Sequence, residues 1–137
     1  MYCNEITPET LERVRAFFSN DRFATENGAV IEEIGDRYAK CSIAIGERHK
    51  NAVGGVMGGV HFMLADFAFA VASNWKEIGW VSLSSNISYL SAVRGETLIA
   101  QAKCIKEGRS TSFYQIDISD ELGTPVSTVT VNGFRKK

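Results

Sequence analysis

Two periods of hydrophobic positions divide this chain into elements. Thr7 followed by Pro8, with Leu11, Val14, Phe17 and Phe18 at helical spacing, predicts a short capped amphipathic helix. Residues 29–34 and 37–45 read as extended segments joined by turn chemistry at Gly35-Asp36, with Cys41, Ile43 and Ile45 alternating. That is a first hairpin. The glycine-rich break GGVMGG follows, and then the run VHFMLADFAFAVA, apolar at nearly every position and ending near Ser73-Asn74. Its length and alanine content predict a helix, and apolar side chains on nearly every side predict a buried one. Residues 81–89, 97–105, 112–118 and 126–134 are β-rich and partly alternating, with Glu107-Gly108-Arg109 and Leu122-Gly123-Thr124 as turns. They read as an antiparallel meander wrapped around the helix. A hairpin, one helix and four more strands make an α+β order with no βαβ alternation, which argues against a dinucleotide-binding Rossmann unit.

Composition narrows the classes. The 137 residues fit one domain, and 45% hydrophobic with 23% charged residues fill a core. A balance of 15 basic against 16 acidic residues provides no field for a polyanion, so nucleic acid is not an expected partner. Cys3, Cys41 and Cys104 are odd in number and far apart, which predicts free thiols and a cytoplasmic setting. The opening MYCNEITPE has no leader pattern, and His61 and Asp66 interrupt the longest apolar run, so no export and no membrane association are expected.

Asp66 is the residue that needs most explanation, because it stands between Ala65 and Phe67 in an otherwise apolar helix. Desolvation raises the pKa of such a carboxyl and hydrogen-bond donors lower it, so Asp66 is either a tuned base or nucleophile or a structural acid held by neighbours. Gly58 and Gly59 open the same helix, where the first N–H groups lack partners and the dipole is positive. They form either a tight helix entry or donors for a developing oxyanion. Eight residues at a rise of ~1.5 Å separate Gly58 from Asp66 by roughly 12 Å, too far to share one scissile bond. A mechanism using both requires Asp66 from a second, antiparallel copy, and therefore a homodimer. His49 and His61 are the only histidines and no HExxH or GxSxG occurs, so no metal site and no serine hydrolase are expected.

The segment from Asn51 through Met57, Gly58, Gly59 and Leu64-Ala65-Asp66 resembles the signature of hotdog-fold acyl-CoA thioesterases of the PaaI-like group. The resemblance extends from about Asp21 to the end and implies one hotdog domain over residues 1–137, an antiparallel sheet around a long central helix. It implies that the Gly58 N–H polarises a thioester carbonyl. Asn51 would position water or substrate, and Asp66 of the partner subunit would serve as base or nucleophile. Ser82 matches a polar residue that assists the carboxylate, or is an ordinary strand serine. Substrate contacts fall on Met57, Gly59 and Phe67, with Lys106, Arg109 and Ser110 as candidates to meet coenzyme A phosphates or as solvated turn residues.

Met57 stands where the family has histidine, and Phe67 where a small polar residue is common. Both changes make the pocket more apolar and remove the hydrogen bonds of an imidazole. The expectation is hydrolysis of small aromatic or medium-chain acyl-CoA, with no cofactor beyond the coenzyme A of the substrate. A dimer that pairs further into a homotetramer is expected. The alternatives are an acyl-CoA binding or sensing protein that has lost the chemistry, a hotdog dehydratase, for which neither histidine is well placed, and a purely structural dimer.

Overall fold

The computed structural model describes residues 6–136. Cys3 lies outside them, while Cys41 and Cys104 are free thiols. Helix α1 (Pro8–Phe18) begins as its sequence predicts, with Thr7 Oγ1 accepting from the Thr10 N–H at 3.1 Å and Pro8 in the first turn. It buries Val14 and Phe18. One turn of helix, α2 (Arg22–Glu26), follows, too short to carry a periodic signal. Strands β1 (Val30–Gly35) and β2 (Tyr38–Ala44) form the predicted hairpin. After a single 3-10 turn come the long helix α3 (Gly58–Asn74) and the strands β3 (Trp80–Tyr89), β4 (Thr97–Glu107), β5 (Thr111–Asp120) and β6 (Pro125–Arg135).

All six strands belong to one antiparallel sheet in the order β1-β2-β4-β5-β6-β3. The meander therefore holds for β4, β5 and β6 only. Instead of neighbouring β4, β3 lies at the far edge against β6, and β4 crosses back to pair with β2. At the end of α3, Asn74 accepts from the Gly79 and Trp80 N–H groups at 2.8 and 2.9 Å and donates to the Trp80 carbonyl at 3.0 Å, which holds the turn into β3.

The sheet curls around α3, and the contact is built from small residues. Ala65 and Ala68 of the helix and Ala39, Ala100 and Ala102 of β2 and β4 are fully buried, which lets the helix lie close to the strands. Leu64, Phe67, Phe69, Val71, Tyr114, Ile116, Ile118, Val129 and Val131 fill the remaining space, each large side chain contributing about 1.5–3 kcal/mol. Contrary to what its composition predicts, the helix is not buried all round. Gly59, Phe62 and Asp66 are exposed and Met63 and Ala70 are partly so, a stripe at spacings of three and four that the sheet does not reach. At the sheet's edge, β3 is exposed from Val81 to Asn86.

Candidate active site

The loop before α3 is held by its own first residue. Asn51 Oδ1 accepts from the Val53 and Gly55 N–H groups at 3.1 and 3.0 Å, and the Asn51 N–H donates to the Gly55 carbonyl at 2.7 Å. Gly54, at φ 91°, makes the tight return that this closure needs. The Met57 N–H then donates to the His49 carbonyl at 2.9 Å. His49 itself is buried: its Nδ1 accepts from the Gly46 N–H at 2.9 Å, so its Nε2 donates to the Asn27 carbonyl at 2.7 Å. This histidine is fastened into the fold.

Met57 occupies the N-cap position of α3 and offers no side-chain oxygen to the first turn. Among the described residues, the Gly58 and Gly59 N–H groups donate to no acceptor. Both glycines have close neighbours. A Cβ on Gly58 would lie 2.6 Å from Tyr89 Oη, whose hydroxyl donates to the Gly58 carbonyl at 2.9 Å. A Cβ on Gly59 would lie 2.6 Å from Met57 Cε, because the methionine folds over that residue. The Tyr89 ring stands edge-on to His61 at 5.3 Å, and His61 Nδ1 shares a 2.9 Å hydrogen bond with Ser127 Oγ. Burial lowers the His61 pKa. Beside this helix end runs a groove of about 550 Å³ lined by Lys50, Gly55, His61, Tyr89, Ser91 and Val93.

Asp66 is not buried, contrary to the expectation from its apolar neighbours. It projects from the uncovered stripe of α3, and among the described residues its carboxylate accepts no hydrogen bond. Partial desolvation, and then the charge of Asp21, raise its pKa above the ordinary 3.8. Within one chain it stands two turns and more from Gly58.

The other predicted residues are dispersed. Ser82 lies exposed on the edge strand beside a bulge between Ser82 and Ser84. Phe67 turns into the core, edge-to-face with Phe18 at 6.3 Å. Lys106, Arg109 and Ser110 lie at the other end of the sheet: the Arg109 and Ser110 carbonyls accept from Arg135, which pairs with Trp80 just beyond the C-terminus of α3. Within one chain they do not meet the Gly58 end. Sequence reading missed Tyr89 and Asp120. Asp120 is buried, and its two oxygens accept from the Arg94, Gly95, Leu122 and Thr124 N–H groups at 2.8 to 3.0 Å, fastening the loop that flanks the groove. No group of three or more metal-ligating side chains occurs among the described residues, and no helix there is long and apolar enough to cross a membrane.

Comparison with known proteins agrees with this geometry. The thioesterase superfamily model matches residues 53–127, the loop, α3 and most of the sheet. An esterase-like protein of Archaeoglobus fulgidus is 33% identical over 114 residues, 82% of this chain and 74% of the relative. Acyl-coenzyme A thioesterase PaaI of Escherichia coli is 29% identical over 111 residues, 80% of this chain and 79% of the relative. The solved structure of E. coli PaaI, from the phenylacetic acid degradation operon, matches with a TM-score of 0.87 at 25% identity over 97% of both chains. The six-stranded sheet, the central helix and these matches together show that this chain belongs to the thioesterase superfamily, in its PaaI-like hotdog group.

Proposed function

We propose that this protein is an acyl-CoA thioesterase whose site is shared between two copies of the chain. One observation carries the reading: α3 bears two free N–H donors at its head and one carboxylate on its uncovered stripe, roughly 12 Å apart by helix rise. A second copy with its α3 antiparallel sets one chain's Asp66 opposite the other's Gly58. The exposed edge of β3 supplies a surface for such pairing, since its outer edge has no neighbouring strand among the described residues.

In the reaction the thioester carbonyl oxygen accepts from the Gly58 N–H, which lowers the barrier to a tetrahedral oxyanion. Asp66 of the partner subunit takes a proton from water as the water oxygen bonds to the carbonyl carbon. Collapse of the intermediate breaks the C–S bond, and the proton passes to the sulfur, giving the free acid and coenzyme A. Direct attack by the Asp66 carboxylate is the other route to the same products. Similarity to E. coli acyl-coenzyme A thioesterase PaaI supports the substrate class, and the apolar Met57 favours an acyl group without polar substituents. Pairing of dimers into a tetramer belongs to this reading too.

Thiol release from aryl- and fatty acyl-CoAs tests it, with wild type and Asp66→Asn side by side. The expected loss in the variant is about 10²–10⁴-fold, the range for a positioned general base. Acyl-CoA binding without turnover in wild type would replace the enzyme with a sensor, a reading favoured only by Met57.

A further inference from the structure

The chain's two histidines are held differently. His49 spends both ring nitrogens on the fold, one accepting from the Gly46 N–H and the other donating to the Asn27 carbonyl. His61 is also buried, at 5% exposed, and spends one. Its Nδ1 meets Ser127 Oγ at 2.9 Å, while Nε2 has no hydrogen-bond partner among the described residues and is not sealed in the core, so it opens on the groove that His61 lines. Ser127 decides which nitrogen carries the proton. Its hydroxyl is buried and makes no other hydrogen bond among the described residues, so an Nδ1–H donor would strand the serine proton, whereas a serine donating to Nδ1 leaves only lone pairs unmet. Burial lowers the His61 pKa and keeps the ring neutral at pH 7. The ring therefore presents Nε2–H to the groove.

The other polar side chains of the groove have no such donor to give. Tyr89 Oη donates to the Gly58 carbonyl and Ser91 Oγ to the Pro125 carbonyl at 2.7 Å, while Lys50, paired with Glu47, is exposed to water. A ligand that covers the His61 N–H must bring an acceptor or leave that donor unmet. The donor is tied to the reacting end. Tyr89, edge-on to His61 at 5.3 Å, bonds Gly58, and three residues of helix rise, about 4.5 Å, separate Gly58 from His61. An acyl group without polar substituents has no acceptor beyond the thioester itself. The thiol arm of coenzyme A has one, in an amide whose nitrogen lies two carbons from the sulfur. We infer that the His61 Nε2–H donates to that amide carbonyl, which makes His61 a specificity-determining residue for the thiol half of the substrate. The inference rests on the proposed reaction for the substrate, and on His61 and Ser127 for the donor.

The test compares butyryl thioesters of two thiols of equal length, N-acetylcysteamine, which carries the amide, and n-pentanethiol, which does not. The ratio of their kcat/KM values cancels the amount of folded enzyme, and its change between proteins cancels the thiols' own reactivity. Wild type is assayed beside His61→Leu and His61→Gln, the last keeping an N–H donor. The ratio is expected to fall about five- to a hundredfold in His61→Leu, mostly through KM, and to be largely restored in His61→Gln. A ratio in His61→Leu within about twofold of wild type overturns the role. Calorimetry with the 2-oxopentyl thioethers of the same thiols, which cannot be hydrolysed, reads binding alone. Wild type is expected to bind the amide-bearing thioether more tightly, and equal affinity overturns the role even where His61→Leu does not fold. Absent turnover, with that preference present in wild type and lost in His61→Leu, overturns the hydrolase and sustains the role of His61.

Discussion

Substitution of Gly58 by alanine separates catalysis from stability. The added methyl would sit 2.6 Å from Tyr89 Oη and 2.9 Å from Cζ, so the tyrosine must move away and its hydrogen bond to the Gly58 carbonyl is broken. That loss removes about 0.5–1.5 kcal/mol, and Tyr89, 55% exposed, regains water in exchange. Alanine in place of glycine in a helix returns about 0.5–1 kcal/mol. The two nearly cancel, and Tm should stay within about 5 °C of wild type. Turnover should not. The methyl occupies the approach to the free N–H groups, and loss of one oxyanion donor is worth about 10²–10³-fold in kcat. Tyr89→Phe distinguishes crowding from the hydrogen bond: it leaves Gly58 open and should lose only about two- to tenfold, the rate equivalent of one ordinary hydrogen bond. The assay is thiol release beside a thermal melt on the same preparations. A folded Gly58→Ala variant within about threefold of wild-type kcat would refute the role given to this end of α3.

A shared site predicts complementation: Asp66→Asn and Gly58→Ala, each inactive alone, should on mixing and refolding recover roughly a quarter of wild-type activity, because half the dimers then hold one intact site of two. No recovery, with exchange verified by tagged subunits, would place both residues in separate roles. The raised Asp66 pKa sets the acid limb of the kcat/KM profile above the ordinary 3.8, and Asp66→Asn should abolish that limb. Because the folded pKa lies above the unfolded one, the Asp66 contribution to stability is complete below about 3.8 and is lost as pH rises through the folded value. Asp66→Asn should therefore melt no lower than wild type at pH 7, with the difference vanishing in acid. Asp120 behaves oppositely: burial raises its pKa, but the Thr124, Arg94 and Gly95 N–H groups pull it well below the carboxylate range. Its contribution is present above the unfolded value and lost as pH falls through the folded one, so Asp120→Asn should lower Tm at pH 7 and flatten the acid limb of stability.

What was readable in the sequence was local. Thr7-Pro8 fixed a helix start, Gly35-Asp36 a hairpin, and the alanine-rich run after Gly58-Gly59 a long helix, because each depends on neighbours in the chain. Strand order was not readable: it lies in which edges pair, β3 with β6 and β4 with β2, between residues 38 to 65 positions apart, and no local spacing reports such partners. Exposure of Asp66 was misread for a related reason. An apolar helix looks buried all round, yet one sheet covers only part of its circumference and leaves the stripe of Gly59, Phe62 and Asp66 open. Tyr89 acts on a backbone group 31 positions away and Asp120 on two that lie 25 and 26 positions back, which no spacing rule reaches; only the bonds of Asp120 to Leu122 and Thr124 are local enough to read as a turn.

The replacement of the family histidine by Met57 looks more damaging in sequence than in structure. The loop that presents Gly58 is shaped by backbone groups and by Asn51, and the N-cap side chain takes no part in it. Methionine therefore changes the chemistry of the site without moving it. Folded over Gly59, it lowers the local polarity, and an N–H donor facing a developing oxyanion gains strength when water is excluded. The imidazole's own hydrogen bonds remain unreplaced, and Asn51 is the side chain left to supply one. Its Oδ1 is bound by two N–H groups, so its orientation is fixed, and Nδ2 donates to no acceptor among the described residues. In the proposed reaction that free amide is the donor available to hold water or the acyl oxygen. The proposed reaction thus relies on backbone donors, one oriented amide and a carboxylate from a second copy.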